Sequence, residues 1–161
     1  MMNKLFLITG GNLGDRRKNL ELAEKLIGER IGSIEKSSKI YETEAWGNRH
    51  QPAFYNQVHI VKTNLSSPEV LDGILKIEEE MGRKRTVKNA ARIIDIDILF
   101  YNKDIVNKEN LQIPHPHIAD RRFVLLPLSE VAPKFNHPVL KKTIDELLLI
   151  TTDHLKVKEL V

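Results

Sequence analysis

The stretch RIIDIDILFY, Arg92 to Tyr101, is rich in Ile, Leu and aromatic side chains and reads as a β-strand. Side chains alternate between the two faces of a strand. Asp95 and Asp97 therefore share a face with Ile93 and Leu99, while Ile94, Ile96, Ile98 and Phe100 occupy the other. Both faces are largely apolar, which predicts a strand covered on both sides. Two carboxylates in such a place repel each other and lose hydration, a cost that a cation offsets. At a rise of about 3.3 Å per residue their Cα atoms lie about 6.5 Å apart. From there both reach one Mg²⁺, or one each of a close pair of ions. A bare Asp-x-Asp also suits two solvated side chains on an open sheet face, so the flanking sequence matters.

Immediately upstream, Arg83, Lys84, Arg85, Lys88 and Arg92 follow one another with no acid between them. A basic run is commonly a solvated loop and less commonly a phosphate or nucleic-acid clamp. Here it leads straight into paired carboxylates. Phosphoryl transfer needs both kinds of group: metal held by carboxylates bridges phosphate oxygens, and Arg or Lys offsets the charge of the transferred group. Such a loop, Arg83 to Arg92, is expected to be mobile without ligand and to close over a substrate. Downstream, His115 and His117 flank Pro116, with Arg121, Arg122 and Phe123 following closely. No third ligand nearby supports a Zn site, and a second phosphate-contacting patch fits the arginines better. Phe54 and Phe123 each sit beside polar residues. Two such rings suit the faces of a flat heterocycle, although each alone also suits a core.

Composition narrows the class. A length of 161 residues suits one domain, 1–161, with a real core, and 41% hydrophobic with 29% charged residues is ordinary for a soluble globular protein. The absence of Cys removes disulfide and thiolate–metal frameworks. No apolar run approaches the ~18 residues of a membrane span. MMNKLFLITGG is too short in apolar residues for a secretory signal, so the expected setting is cytoplasmic. A net charge of +3 permits an anionic ligand without demanding nucleic acid.

In chain order, Lys4 to Thr9 predicts a first strand, followed by the turn GGNLGD, Gly10 to Asp15. Its glycines permit close backbone approach, but the spacing is neither G-x-G-x-x-G nor a P-loop. Leu20, Ala23, Leu26, Ile27 and Ile31 predict a helix from about Asp15 to Glu29. Ile34–Thr43 and Phe54–Thr63 read as strands two and three, joined by a loop holding Gly47 and Pro52. Ser66, Pro68 and Glu69 signal a helix start, Val70, Leu71, Ile74, Leu75 and Met81 a buried stripe, and Gly82 a stop. After the Asp strand, Asn102-Lys103-Asp104 predicts a hairpin that returns Ile105-Val106 beside it and makes it internal. The order is βαββαβ, an α+β, ferredoxin-like core with extra strands and C-terminal helices in α/β/α layers. A short helix is expected from near Ala119 to just before Pro127, and a last one over 143–150, capped by Thr143.

Taken together, GGNLGD, Phe54-Tyr55-Asn56, Gly82-Arg83, RIIDIDILFYNKDIVN, IPHPHIADRRFVLLPL and LLPLSEVAP resemble the 6-hydroxymethyl-7,8-dihydropterin pyrophosphokinases of folate biosynthesis over most of the chain. The resemblance implies transfer of pyrophosphate from the co-substrate ATP to the pterin hydroxymethyl oxygen, with AMP released. It implies two Mg²⁺ ions on Asp95 and Asp97. It places Arg83 and Arg92 on the phosphates and transition-state charge. Glu78, Arg85, Ile98, His115 and Arg121 join Arg83 and Arg92 at the ATP site. Phe54 and Phe123 would stack on the pterin, Asn56 would bond its edge, backbone groups of Thr43, Glu44 and Trp46 would complete that edge, and Asp95 would border it. A monomer acting on small molecules, with neither nucleic acid nor membrane as partner, is implied as well. Asn89 and Ala91 stand where many relatives have Trp and Pro, Asn110 where a basic residue is frequent, Phe54 where some have Tyr, and Gly11 where Ser is usual. No departure removes a carboxylate or an aromatic wall.

The rival readings are a non-catalytic nucleotide- or RNA-binding module of ferredoxin-like fold. FYNQVHIVKT lacks the K/R-G-F/Y strand of an RNA-binding sheet. A regulatory module has no use for paired carboxylates beside five basic residues.

Overall fold

The computed structural model describes residues 2–44, 51–83 and 91–160. Its centre is β1 (Asn3–Gly11), buried on both faces from Leu5 onward. That explains why Leu5–Ile8 is uninterruptedly apolar rather than alternating. β1 pairs antiparallel with β4 (Phe54–Thr63) on one side and β5 (Asp95–Tyr101) on the other. β2 (Ser33–Ser37) and β3 (Tyr41–Thr43) both pair with β4, and β8 (Val157–Glu159) closes the far edge on β3. The order β5-β1-β4-β3-β8 is antiparallel throughout.

Two cores lie on opposite faces of this sheet. Leu5, Leu7 and Val61 pack with α1 (Arg16–Arg30) and α2 (Ser67–Glu80), through Leu20, Ala23, Ile27, Val70, Ile74 and Ile77. Phe6, Ile8, Val58 and Ile60 pack with α3 (Arg122–Val131) and α4 (Ile144–Ile150), through Val124, Leu125, Leu128, Ile144 and Leu147. Helix starts follow local chemistry. Asp15 caps α1, and Ser66–Glu69 and Thr143–Glu146 form full capping boxes on α2 and α4.

Four expectations are corrected. The second strand breaks in two at Ser38, whose hydroxyl accepts from the Val58 N–H at 2.9 Å and so takes over a ladder position. The Asp strand is not followed by its own hairpin partner. Asn102, at φ 50°, exchanges bonds with Lys4 (Lys4 N–H to Asn102 Oδ1, 2.8 Å; Asn102 N–H to the Lys4 carbonyl, 2.7 Å), which ties the turn to β1. β6 (Val106–Lys108) pairs instead with β7 (Leu111–Ile113) in a separate ribbon, and β5 pairs with β1 alone. Its outer edge is met by the chain beyond β7, where the His115 N–H donates to the Leu99 carbonyl at 3.0 Å.

The third correction concerns which way Phe100 points. A register shift opposite Phe6/Leu7 inserts an extra residue into β5, and Leu99 and Phe100 both enter the second core while Ile94, Ile96 and Ile98 enter the first. Fourth, α3 starts at Arg122, later than expected, and runs through Pro127 to Val131. Pro127 is buried in that helix, so tertiary packing outweighs the hydrogen bond its ring removes.

Candidate active site

Sheet register assembles one polar row. Gly10 lies opposite Asp95 on one side and Asn56 on the other, and Ile8 lies opposite Asp97 and Val58. Ile8 and Val58 belong to the α3/α4 face, so Asp95, Asp97 and Asn56 project there as well, at the end that α3 leaves open. Glycine is required at position 10 because a Cβ would stand 2.0 Å from Asn56 Nδ2. Asn56 lies over that bare backbone, and its amide donates to the Thr9 carbonyl at 3.4 Å. Gly11 similarly admits the Ile93 carbonyl, 2.2 Å from where a Cβ would stand.

A cavity of about 660 Å³ opens over this row. Thr43, Glu44, Phe54, Asn56, Arg92, Asp95, Asp97, His115, Arg121 and Phe123 all line it. Phe54 and Phe123 are only half-buried, and each has a guanidinium nearby: Arg92 at 5.6 Å from the Phe54 centroid, Arg121 at 5.8 Å from that of Phe123. The Thr43 hydroxyl, on a residue 4% exposed, is buried with no hydrogen-bond partner among the described residues. An orphaned buried hydroxyl in a cavity wall is suited to a ligand's polar edge. A second cavity of about 340 Å³ lies alongside, lined by Leu71, Ile74, Ile96, Ile98, Asn110 and Leu111 among others. Asp97, His115, His117 and Arg121 border both. The carboxylate of Asp97 thus stands where the two chambers meet.

Electrostatics separate the two aspartates. Asp95 is held from both sides, by Arg83 Nη1 on Oδ1 at 2.9 Å and Arg92 Nη1 on Oδ2 at 3.1 Å. Asp97 accepts no hydrogen bond from any described residue, and burial, with the Asp95 and Glu78 charges, pushes its carboxyl up to about 7. That is the signature of a site short of positive charge. Hard oxygen donors on two carboxylates suit a divalent cation such as Mg²⁺. No third carboxylate, His or Cys among the described residues completes a metal-binding group, so such an ion would take its remaining ligands from water or bound phosphate. His115 is pushed down to about 4 by burial and the Arg121 charge, so it serves as a neutral imidazole at pH 7.

Glu78 does not line the cavity. Its side chain, 6% exposed, sits behind β5 and accepts from the Ile96 N–H at 2.8 Å and from Arg83 Nη1 at 2.7 Å. Burial raises its pKa and the bonds from Ile96 and Arg83 oppose the rise. Its bond to Arg83 holds that guanidinium in place. Ile98 points away from the first cavity and into the second. Trp46 and Arg85, and the expectation of a loop that closes over the site, lie largely outside the described residues.

Residues the sequence did not single out also build the site. Asn12 is buried, and its N–H donates to the Arg92 carbonyl while its Oδ1 accepts from the Arg92 N–H, each at 2.9 Å. Its amide donates to Gln51 Oε1 and the Pro52 carbonyl at 3.0 and 3.1 Å. One side chain thereby joins the start of β4 to the start of β5. Its place inside GGNLGD was the available signal. Asp120, inside IPHPHIADRRFVLLPL, also lines the first cavity, as do Asp153 and Leu155, which no motif marks.

The family model described as 7,8-dihydro-6-hydroxymethylpterin-pyrophosphokinase (HPPK) matches residues 6–133, which contain every candidate residue from Thr43 to Phe123. The chain belongs to this family. An Aquifex aeolicus 2-amino-4-hydroxy-6-hydroxymethyldihydropteridine pyrophosphokinase is 41% identical over 90% of this chain and 90% of its own length. The Bacillus subtilis protein of that name is 38% identical over 81% of this chain and 79% of its own length. The Dictyostelium discoideum folic acid synthesis protein FOL1 is 42% identical over 91% of this chain, which spans only 22% of that longer relative. A Plasmodium falciparum HPPK-DHPS structure with pteroate shares the fold, with a TM-score of 0.75 at 21% identity over 92% of this chain and 43% of that one.

Half-burial gives the expectation that Phe54 and Phe123 are the aromatic walls of this pyrophosphokinase-family site a direct test. A core Phe truncated to Ala costs about 3–5 kcal/mol of stability, whereas a lost stacking wall costs a flat ligand about 1–3 kcal/mol of binding. Phe123→Ala is expected to stay folded, keep Mg-ATP affinity, and lose dihydropterin affinity by that lesser amount. Thermal melting and pterin titration of the same sample decide it. A large fall in Tm with unchanged pterin binding would return Phe123 to the core.

Proposed function

We propose that the chain transfers the pyrophosphoryl group of ATP to the hydroxymethyl oxygen of 6-hydroxymethyl-7,8-dihydropterin, giving AMP and the pterin pyrophosphate, a step of folate biosynthesis. The observation that carries this reading is the pair of chambers sharing Asp97 as a common wall. One chamber has two phenyl rings and fixed polar edges, suited to a flat pterin; the other sets the aliphatic side chains of Leu71, Ile74, Ile96, Ile98 and Leu111 among polar ones, suited to an adenine and its polar edge.

In the first chamber Phe54 and Phe123 take the two faces of the pterin. Asn56, held over Gly10, the buried Thr43 hydroxyl and the Thr43 and Glu44 backbone meet its edge. In the second, Ile98 contacts the base, and His115 and Arg121 meet the phosphates at the junction. His115, neutral, contributes a hydrogen bond rather than a charge. The pterin oxygen attacks the β-phosphorus, the bond to the oxygen bridging α and β breaks, and that oxygen leaves on AMP as the hydroxyl proton is lost. Arg83 and Arg92, poised on Asp95, offset charge on the transferred group. Asp95 and Asp97 would hold two Mg²⁺, which would supply positive charge to the phosphates and make the hydroxymethyl oxygen more acidic. The order β5-β1-β4 with β2 and β3 beyond supports a ferredoxin-like core in a single domain. A monomer in the cytoplasm goes with this reading.

A product assay tests it. Purified protein with Mg²⁺, ATP and the pterin is expected to form AMP and pterin pyrophosphate in equal amounts, and neither when the metal or the pterin is withheld. ATP binding with no AMP formed under the full mixture would make the chain a non-catalytic module.

A further inference from the structure

The C-terminal segment enters the first chamber. Asp153 and Leu155 line it beside Arg121 and Phe123, although they lie beyond the family-model match, which ends at residue 133. Their placement is fixed at both ends. On one side, Arg121 holds the cap position just before α3 and makes no side-chain cap bond of its own. The cap comes from 31 residues along the chain: the Arg122 N–H donates to Asp153 Oδ2 at 2.7 Å. Asp153 Oδ1 accepts from the Leu155 N–H at 3.0 Å, and Arg122 Nη1 donates to the Leu155 carbonyl at 3.4 Å. On the other side, β8 pairs with β3, setting Val157 opposite Thr43. The segment thus bridges the start of α3, which carries Phe123, to the end of β3, which carries Thr43.

From this placement, and resting on the pyrophosphokinase reading above, we infer that the C-terminal segment is a third wall of the pterin chamber. Asp153 is a positioning residue that acts through Arg122 on Phe123, and Leu155 is an apolar contact that sets how tightly the slot grips the heterocycle. A helix whose first turn is capped from outside takes its orientation from the capping residue. Arg122 is the first residue of α3 and Phe123 the second, so loss of Asp153 frees the backbone that aims the ring. The second chamber touches neither Asp153 nor Leu155, so nucleotide binding is independent of them.

The test uses the full chain and equilibrium titration, monitoring pterin fluorescence for the dihydropterin and calorimetry for Mg-ATP. Asp153→Ala is expected to weaken pterin binding about tenfold, the equivalent of one lost helix cap. Mg-ATP affinity should stay within about twofold, and Asp153→Asn, which keeps an acceptor, should recover most of the loss. Leu155→Ala, which leaves the cap intact, should weaken pterin binding alone. Should Asp153→Ala fail to fold, the Asp153→Asn and Leu155→Ala arms still decide. Unchanged pterin affinity in a folded Asp153→Ala and in Leu155→Ala, or equal losses for both ligands, would overturn the inference. Wild-type chain that binds no pterin at all would instead overturn the functional reading beneath it.

Discussion

Asp97→Asn is expected to abolish turnover and to make the ligand-free protein more stable. If Asp97 holds Mg²⁺ as proposed, losing its carboxylate from the junction of the two chambers loses metal-borne transition-state stabilisation worth several kcal/mol, a fall on the order of 10³-fold or more in kcat. The stability effect has the opposite sign because the Asp97 carboxyl accepts no bond from a described residue, and partial withdrawal from water, with the Asp95 and Glu78 charges, pushes it up to about 7. A carboxyl raised in the folded state contributes stability that is complete below its unfolded pKa of 3.8 and is lost as pH rises through about 7. The amide carries no such penalty. The Tm gap between Asp97→Asn and wild type should therefore be small near pH 4 and reach several degrees by pH 8, at about 2–4 °C per kcal/mol for a chain of this size. Saturating Mg-ATP should stabilise wild type and narrow the gap. Equal melting curves at both pH values would mean that Asp97 is better compensated than its surroundings indicate.

Arg83→Ala should damage the protein in two separable ways. Arg83 is 27% exposed at its side chain, and it bonds the nearly buried Glu78 as well as Asp95. Its removal leaves Glu78 facing Asp95 with one counter-charge fewer. Breaking a buried pair from one side costs about 3–5 kcal/mol, and partial exposure reduces that here to on the order of 2 kcal/mol. Catalysis should fall by at least about 10²-fold if, as proposed, the same guanidinium offsets charge on the transferred group. Adding Glu78→Gln to Arg83→Ala removes the stranded charge while the amide still accepts from the Ile96 N–H. The double variant should recover most of the lost Tm and none of the lost turnover. Recovery of both would make Arg83 a purely structural partner of Glu78; recovery of neither would mean that Glu78 does not depend on it.

How far the sequence could be read depended on the range over which each feature is determined. The Ser66 and Thr143 capping boxes and the Asp15 cap are closed within three residues, and all are visible locally. The same holds for the run from Asp95 to Tyr101, whose strand character is carried by its own side chains. The expected hairpin after Tyr101 fails because Asn102 answers to Lys4, 98 residues earlier, and nothing near Asn102 reveals that partner. The path through Pro127 is equally non-local, since it rests on packing against the second core. In the site, the residues whose chemistry is conspicuous in the sequence and that gather round one cavity are the two aspartates of an apolar strand, Arg92 at the end of the basic run, and Phe54 and Phe123 beside polar residues. Glu78 was legible as a participant but not as a support for Arg83, because a helix stripe does not say what lies behind it. Asp153 and Leu155 lie in a mixed polar tail with no periodicity, and only the fold carries them back to α3.

The extra residue in β5 makes this strand sensitive to length rather than to composition. Upstream of it the odd positions, Asp95 and Asp97, face the chambers; downstream, Phe100 fills that same side. Deleting any residue from Ile98 to Phe100 would restore a regular pleat. Either the acidic half would then rotate into the first core, or the apolar half would rotate out of the second. Conservative exchanges among Ile, Leu and Val at positions 98 and 99 should be absorbed, while a change of length there should not, even though β5 lies at a sheet edge, where length variation is ordinarily cheap. Among natural or randomised variants of this chain, the spacing between Asp97 and Tyr101 should therefore be held more tightly than the identities of the residues between them.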